Sequence, residues 1–268
     1  MIASPPSSEP PDPSEPAHAL RAHSFNAAAA QYAANRPSYP PALFDTVEAL
    51  AGRSLSGARV VDVGAGTGIA TALLHERGAD VLAVEPGAGM AAEFRRGLPH
   101  IPIVQGNGNA LPVADARADF LTYAQAWHWT DTARSVPEAL RVLRPGGALA
   151  LWWNTTAPDI EWIAEQADRA NRFFGVNTAA EPRKAADRTD QADPSGRLRF
   201  GRDKIRWSRR VPVDTHLANV GSHSAFLVAP EDRRSAFLEE ERDHLLKTFP
   251  DGIVEETYDV LVLVATTP

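Results

Sequence analysis

The sequence predicts an α/β protein built on an open, mostly parallel sheet. Short apolar runs recur from residue 59 onward and alternate with amphipathic segments of helical period. The first run ends in a glycine-rich turn, Gly64-Ala65-Gly66-Thr67-Gly68, that opens a helix. Each strand–helix unit is also long enough for the right-handed crossover that parallel neighbours require.

The elements follow in order. Residues 26–34 are alanine-rich, with high helix propensity, and lead into Arg36-Pro37-Ser38-Tyr39-Pro40-Pro41. A helix comes next, with Leu43, Val47 and Leu50 at i, i+4 and i+7 and Gly52 as its stop. Residues 59–63 read as a buried strand, followed by a helix carrying Ile69, Leu73 and Leu74 and closed by Gly78. Residues 81–84 form a second strand, and its helix carries Met90, Phe94 and Leu98. Residues 101–105 and 120–124 are the third and fourth strands. A helix with Val136, Leu140 and Leu143 then ends at Pro145-Gly146-Gly147, before a fifth strand over 148–153. Beyond it the rhythm changes: a helix over 159–174, a polar and mobile stretch over 179–201, a strand over 204–211, a helix from Pro230 and a last strand over 258–265.

Composition bounds the chemistry. Among 268 residues there is no cysteine, which removes disulfide scaffolds, thiolate zinc sites, iron–sulfur clusters and cysteine nucleophiles. With 34 acidic against 27 basic residues, the net charge of −7 argues against a nucleic-acid partner. No apolar run is longer than residues 260–265, far short of the ~20 residues of a membrane helix. No secretory signal is visible, so the expectation is a cytoplasmic protein without a membrane partner. Six of the 22 prolines fall within residues 5–16. Residues 1–22 therefore read as a disordered tail, and 23–268 as a single domain. Within it, 23–52 supply lid helices, 57–154 the ligand-binding half, and 155–268 a substrate-side half with a helical insertion.

The glycine turn is the most informative stretch, because open α/β sheets bind nucleotide-like ligands there. A dinucleotide fingerprint requires a sixth-position glycine or alanine. Counted from Gly64 that position is Ile69, and from Gly66 it is Thr71. Asp62, two residues before Gly64, would repel a pyrophosphate but suits a ligand bearing an ammonium and a sulfonium. Glu85, at the end of the second strand, is placed to accept hydrogen bonds from a ribose diol, which serves either an NAD or an adenosine reading.

These residues belong to a longer resemblance. Asp62-Val63-Gly64-Ala65-Gly66-Thr67-Gly68, then Val84-Glu85-Pro86, then Gly106-Asn107-Gly108-Asn109-Ala110-Leu111-Pro112, resemble successive motifs of class I S-adenosylmethionine-dependent methyltransferases. Asp119-Phe120, Ala124-Gln125-Ala126-Trp127-His128-Trp129 and Leu143-Arg144-Pro145-Gly146-Gly147 continue the match in order. Together with Tyr32 and the Arg36-to-Pro40 segment, the last blocks resemble the trans-aconitate methyltransferase-like subgroup. The resemblance implies a Rossmann-like sheet of seven strands, the last antiparallel, with helices on both faces. It also implies S-adenosylmethionine as cofactor and S-adenosylhomocysteine as product. Gly64, Ala65 and Gly66 would then pass under the methionine part, Glu85 and Pro86 would meet the ribose, and Met90 would pack on the adenine. Asn107, Gly108 and Asn109 would line the adenine, where many relatives carry an acid; an asparagine carbonyl accepts the same bond more weakly. Gln125 would complete the cofactor set, and Tyr32 and Arg36 would close over the methionine carboxylate.

Four of the six tryptophans sit at the ends of the fourth and fifth strands. Of these, Trp127, Trp129 and Trp153 are candidates to wall out water around a small-molecule acceptor, the alternative being that they pack beneath helices. His128 between them is either a general base or a residue that positions substrate. Asp62 acts either by direct contact or through the backbone. The basic run from Arg197 to Arg210 reads as a solvated strand face, or else as a site for an acidic substrate. No histidine pattern suggests a metal. The expected activity is methyl transfer to oxygen, nitrogen or carbon. Its rivals are a non-methylating protein that binds the same cofactor, and an NAD(P)-dependent oxidoreductase.

Overall fold

The computed structural model describes residues 35–174, 188–227 and 229–268. The proline-rich tail, the predicted helix over 26–34 and Tyr32 lie outside the described residues. Helix α1 (Pro41–Ala51) starts at a proline pair and stops where Gly52 takes φ +61°, a turn that glycine adopts without strain. Strand β1 (Arg59–Val63), helix α2 (Ile69–Glu76), strand β2 (Asp80–Glu85), helix α3 (Ala88–Gly97) and strand β3 (Ile103–Gln105) alternate as the periodicity predicts. Strand β4 (Ala118–Ala124), a short 3-10 turn (Trp127–Trp129), helix α4 (Thr132–Val142) and strand β5 (Leu143–Thr156) complete that half. Helices α5 (Glu161–Phe174) and α6 (Arg188–Ala192), strand β6 (Gly201–Pro212), helices α7 (Val213–Gly221), α8 (Ser224–Leu227) and α9 (Glu231–Thr248), and strand β7 (Ile253–Thr266) follow.

The seven strands lie in the order β3-β2-β1-β4-β5-β7-β6. Only β7 opposes the rest, pairing antiparallel with β5 on one side and β6 on the other. The expected architecture is therefore present, with the order reversing between β1 and β4. At such a reversal the crossovers leave in opposite directions, and a crevice opens at the carboxyl ends of the two strands.

Both faces of the sheet are covered. Leu43, Phe44 and Val47 of α1 join Leu74 of α2 and Phe94 of α3 in one core layer. Val136, Ala139 and Val142 of α4 join Leu121, Tyr123 and Leu149 in the other. The central strands are apolar almost throughout because each is buried on two sides. Trp152, fully buried in β5, meets the edges of Tyr39 and Phe44 with ring centroids 6.1 Å apart in each case.

Three expectations change. Pro145-Gly146-Gly147 does not end a helix; it forms a bulge inside β5, where Ala118 pairs with Leu143 but Phe120 pairs with Ala148. Gly146 takes φ +70° there, and a side chain at Gly147 would press to 2.8 Å from the Arg144 carbonyl. Strand β7 begins at Ile253 and pairs with β6 over twelve residues, because Val254, Glu256 and Tyr258 alternate inward. The polar stretch over 179–201 is packed from Arg188 on, with Ala192 and Leu198 buried and Asp193 capping the amides of Ser195 and Leu198. Helix α7, which buries Val213 and Leu217, had no clear sequence signal. No helix among the described residues is long and apolar enough to cross a membrane.

Trp152 gives the packing account a test. Trp152→Ala should cost roughly 3–5 kcal/mol of stability, read by urea denaturation. A loss below ~1 kcal/mol would show that α1 does not depend on this contact.

Candidate active site

The site is built outward from the glycine turn. The Gly64 and Ala65 amides both donate to the Val84 carbonyl, at 2.8 and 3.2 Å, which ties the turn to β2. A Cβ on Gly64 would lie 2.5 Å from that of Ala126, so only glycine lets the turn pass this close to the loop after β4. Gly66, at φ +59°, has open space where a side chain would stand. Its amide donates to Glu85 Oε2 at 2.8 Å, while Gly87 donates to Oε1 at 2.8 Å. Glu85 is 7% exposed. Burial raises its carboxyl above the ordinary carboxylate range, and the two N–H donors act in the opposite direction. A carboxylate has about four acceptor positions, so two remain for a ligand's hydroxyls.

Asp62 takes a different place from the one expected for a ligand contact. It is fully buried, and Thr71 and Thr122 each donate a hydroxyl to one of its oxygens, at 2.6 and 2.8 Å. Desolvation pushes its carboxyl up to about 6 against the pull of those bonds. Asp62 thus braces β1, α2 and β4 beneath the turn. The acid on the cavity lining is Glu85, so the burial of Asp62 removes the repulsion argument against a pyrophosphate and leaves the broken glycine fingerprint to stand against a dinucleotide.

A cavity of about 350 Å³ opens at the carboxyl ends of β1, β2 and β4. Gly64, Gly66, Glu85, Pro86 and Met90 line it on one side. Asn107, Gly108, Gln125, His128 and Trp129 line it on another, and Arg36 with Tyr39 closes a third. Ala65 and Asn109 are not on its lining; the Asn109 carbonyl accepts from the Asp131 amide at 2.9 Å. Gln125 holds φ +58°, a strained conformation for a residue with a side chain. Its backbone amide donates to the Trp152 carbonyl and its side chain to the Asn154 carbonyl, locking that geometry. Arg36 donates to the Ser222 carbonyl at 3.0 Å, and Arg209 donates to the Asn35 and Arg36 carbonyls, so the mouth is pinned by β6 and the end of α7.

Of the three candidate acceptor tryptophans, Trp129 alone lines the cavity. Trp127 is 3% exposed, meets Tyr123 edge-on and donates to the Ala192 carbonyl at 3.0 Å. Trp153 is equally buried and donates to His128. Both lie behind the wall.

The lining fits the cofactor expected from the sequence. Glu85 has acceptor positions left for a diol, and Gly66 leaves room for a ligand against the backbone. One residue was missed. Tyr123 is fully buried, its hydroxyl has no partner, and it lines the cavity beside Gly108. The Asn107 carbonyl is already engaged by the Asn109 amide at 3.0 Å. The phenol is therefore an unengaged polar group beside this loop, and burial keeps it neutral by pushing its pKa up. The strand pattern offered only an apolar-looking position, so no sequence signal marked it.

Comparison with known proteins agrees with this geometry. The family described as methyltransferase domain matches residues 61–151. An uncharacterized methyltransferase of Mycobacterium tuberculosis is 36% identical over 227 residues, covering 85% of this chain and 87% of that protein. A demethylmenaquinone methyltransferase of Beutenbergia cavernae is 38% identical over 114 residues, 42% of this chain and 47% of that one. A solved structure from Anaeromyxobacter dehalogenans, titled as a proposed type II methyltransferase, shares the fold with a TM-score of 0.61 at 23% identity. It covers 87% of this chain and 99% of its own.

Asp62 carries a signed prediction. Its folded carboxyl titrates near 6 and an unfolded one near 4, so the folded state holds the extra proton between these values. The contribution of Asp62 to stability therefore falls as pH rises through that window. Asp62→Asn can still pair with both threonines, and its stability relative to the parent should rise by ~2–3 kcal/mol from pH 4 to pH 7 in urea melts. A difference that does not change with pH would contradict the burial account.

Proposed function

The chain belongs to the class I S-adenosylmethionine-dependent methyltransferases, and on that premise we propose that its cavity binds S-adenosylmethionine and methylates a small-molecule acceptor. The observation that carries this reading is Glu85, held by the Gly66 and Gly87 amides with acceptor positions to spare, facing an open glycine turn. In this reading Glu85 accepts from the ribose diol, Met90 packs on the adenine, and the Tyr123 hydroxyl bonds the adenine edge beside Gly108. Arg36 pairs with the methionine carboxylate through its planar fork.

The cofactor supplies a methyl group on a sulfonium. Bound in the cavity, S-adenosylmethionine would supply that methyl for in-line displacement by the acceptor's lone pair, leaving S-adenosylhomocysteine. Because that methyl is already activated, the protein's share is alignment and exclusion of water, worth up to ~7–11 kcal/mol of the barrier. Gln125 and Trp129 shape the wall where the acceptor meets the methyl, and the Arg36–Tyr39 segment covers it. A cavity of about 350 Å³ suits a small ligand rather than a macromolecular surface. The net charge of −7 likewise favours a small molecule over nucleic acid.

Two measurements test the reading. In calorimetric titration with S-adenosylmethionine, Glu85→Ala should weaken binding at least tenfold, and Tyr123→Phe about three- to tenfold, the worth of one hydrogen bond. Unchanged affinity in Glu85→Ala would remove the ribose assignment. Release of S-adenosylhomocysteine over a panel of small acceptors should then separate the enzyme from a cofactor-binding protein. Tight cofactor binding with no turnover on any acceptor would favour the latter.

A further inference from the structure

His128 lines the cavity, and what it can do there is decided by a residue that does not. Trp153 sits near the end of β5 with 3% of its surface exposed, behind the turn that carries His128. Its indole Nε1 lies 3.3 Å from His128 Nδ1. An indole N–H only donates. Nδ1 must therefore present its lone pair, and a neutral imidazole in this position carries its proton on Nε2. A second proton, on Nδ1, would set two N–H donors against each other and break the bond. The ring is further held by Trp129, with centroids 4.8 Å apart and planes at 43°.

We propose that His128 is a fixed Nε2–H donor rather than a proton-accepting base, and that Trp153 is the positioning residue that selects this tautomer. The consequence concerns the acceptor, and this part rests on the methyl-transfer reading of the cavity: an imidazole already protonated on Nε2 does not take a proton at that atom from an incoming hydroxyl or ammonium.

The test uses the full chain labelled with [15N]histidine, read by long-range proton–nitrogen correlation at neutral pH. His128 is assigned by the peaks lost in His128→Asn. The expected result is an unprotonated Nδ1 and a protonated Nε2. Trp153→Phe, which keeps the ring and removes the donor, should move both nitrogens toward the averaged shifts of exchanging tautomers; a purely structural tryptophan would leave the pattern unchanged. An Nδ1-protonated ring or an imidazolium in the parent, or no change in Trp153→Phe, would overturn the tautomer assignment. Should Trp153→Phe fail to fold, the parent spectrum still decides the tautomer. That spectrum needs no cofactor, so failure of the methyl-transfer reading would show separately, as absent S-adenosylhomocysteine binding.

Discussion

A carboxylate sealed from water at the end of the first strand fixes everything above it. Asp62 is worth its burial because two hydroxyls, from Thr71 on α2 and Thr122 on β4, satisfy its two oxygens at short distances. Those bonds hold the start of α2 against the two central strands on either side of the order reversal. The glycine turn between β1 and α2 is then committed to a path in which Gly64 grazes Ala126 and the Gly66 amide reaches Glu85. A buried carboxyl that braces a turn from beneath and a second that lines the cavity from the next strand divide the work. The first orders the backbone, and the second is left with lone pairs for a ligand.

The opposite side of the cavity is organised by a polar network in the later half of the chain. Glu256 of β7 is 2% exposed and takes His216 of α7 at 2.7 Å and the Arg209 guanidinium of β6. Desolvation raises its carboxyl, but the bonds to His216 and Arg209 outweigh that and hold it down near 2. His216 continues to Gln166, and Gln166 with Arg169 to the buried Glu241 of α9. Because every member is paired, such a network rigidifies the elements it joins. Arg209 extends it to the Asn35 and Arg36 carbonyls, tying the helical insertion to the mouth of the cavity. Within the basic run, Lys204 and Arg206 pair with Asp259, and Arg206 also with Asp159.

Much of this was legible in the sequence, for reasons that differ by element. The strands of the first half could be read because burial on both faces leaves near-continuous apolar runs such as Val60-Val61 and Phe120-Leu121. The turn could be read because positive φ at Gly64, Gly66 and Gly68 demands glycine. Glu85 could be placed at the cavity because it ends β2. What escaped was set by tertiary contacts. Whether Asp62 faces a ligand or two threonines depends on partners nine and sixty residues away. Trp127 and Trp153 sit at the right strand ends but turn inward, toward Ala192 and His128. Tyr123 reads as one more core aromatic, and only the packed structure sets it in the cavity wall with a buried, unpartnered hydroxyl. Helix α7 gains its register from the Glu256 network rather than from its own composition.

The account stands on one claim, that the crevice at the order reversal is an adenosyl-sulfonium site rather than a dinucleotide site. Calorimetric titration of the full chain with S-adenosylhomocysteine and, separately, with NAD and NADP, tests it directly. The account predicts micromolar binding of S-adenosylhomocysteine with one site per chain, and no measurable heat from either dinucleotide. Micromolar binding of a dinucleotide with no response to S-adenosylhomocysteine would contradict it.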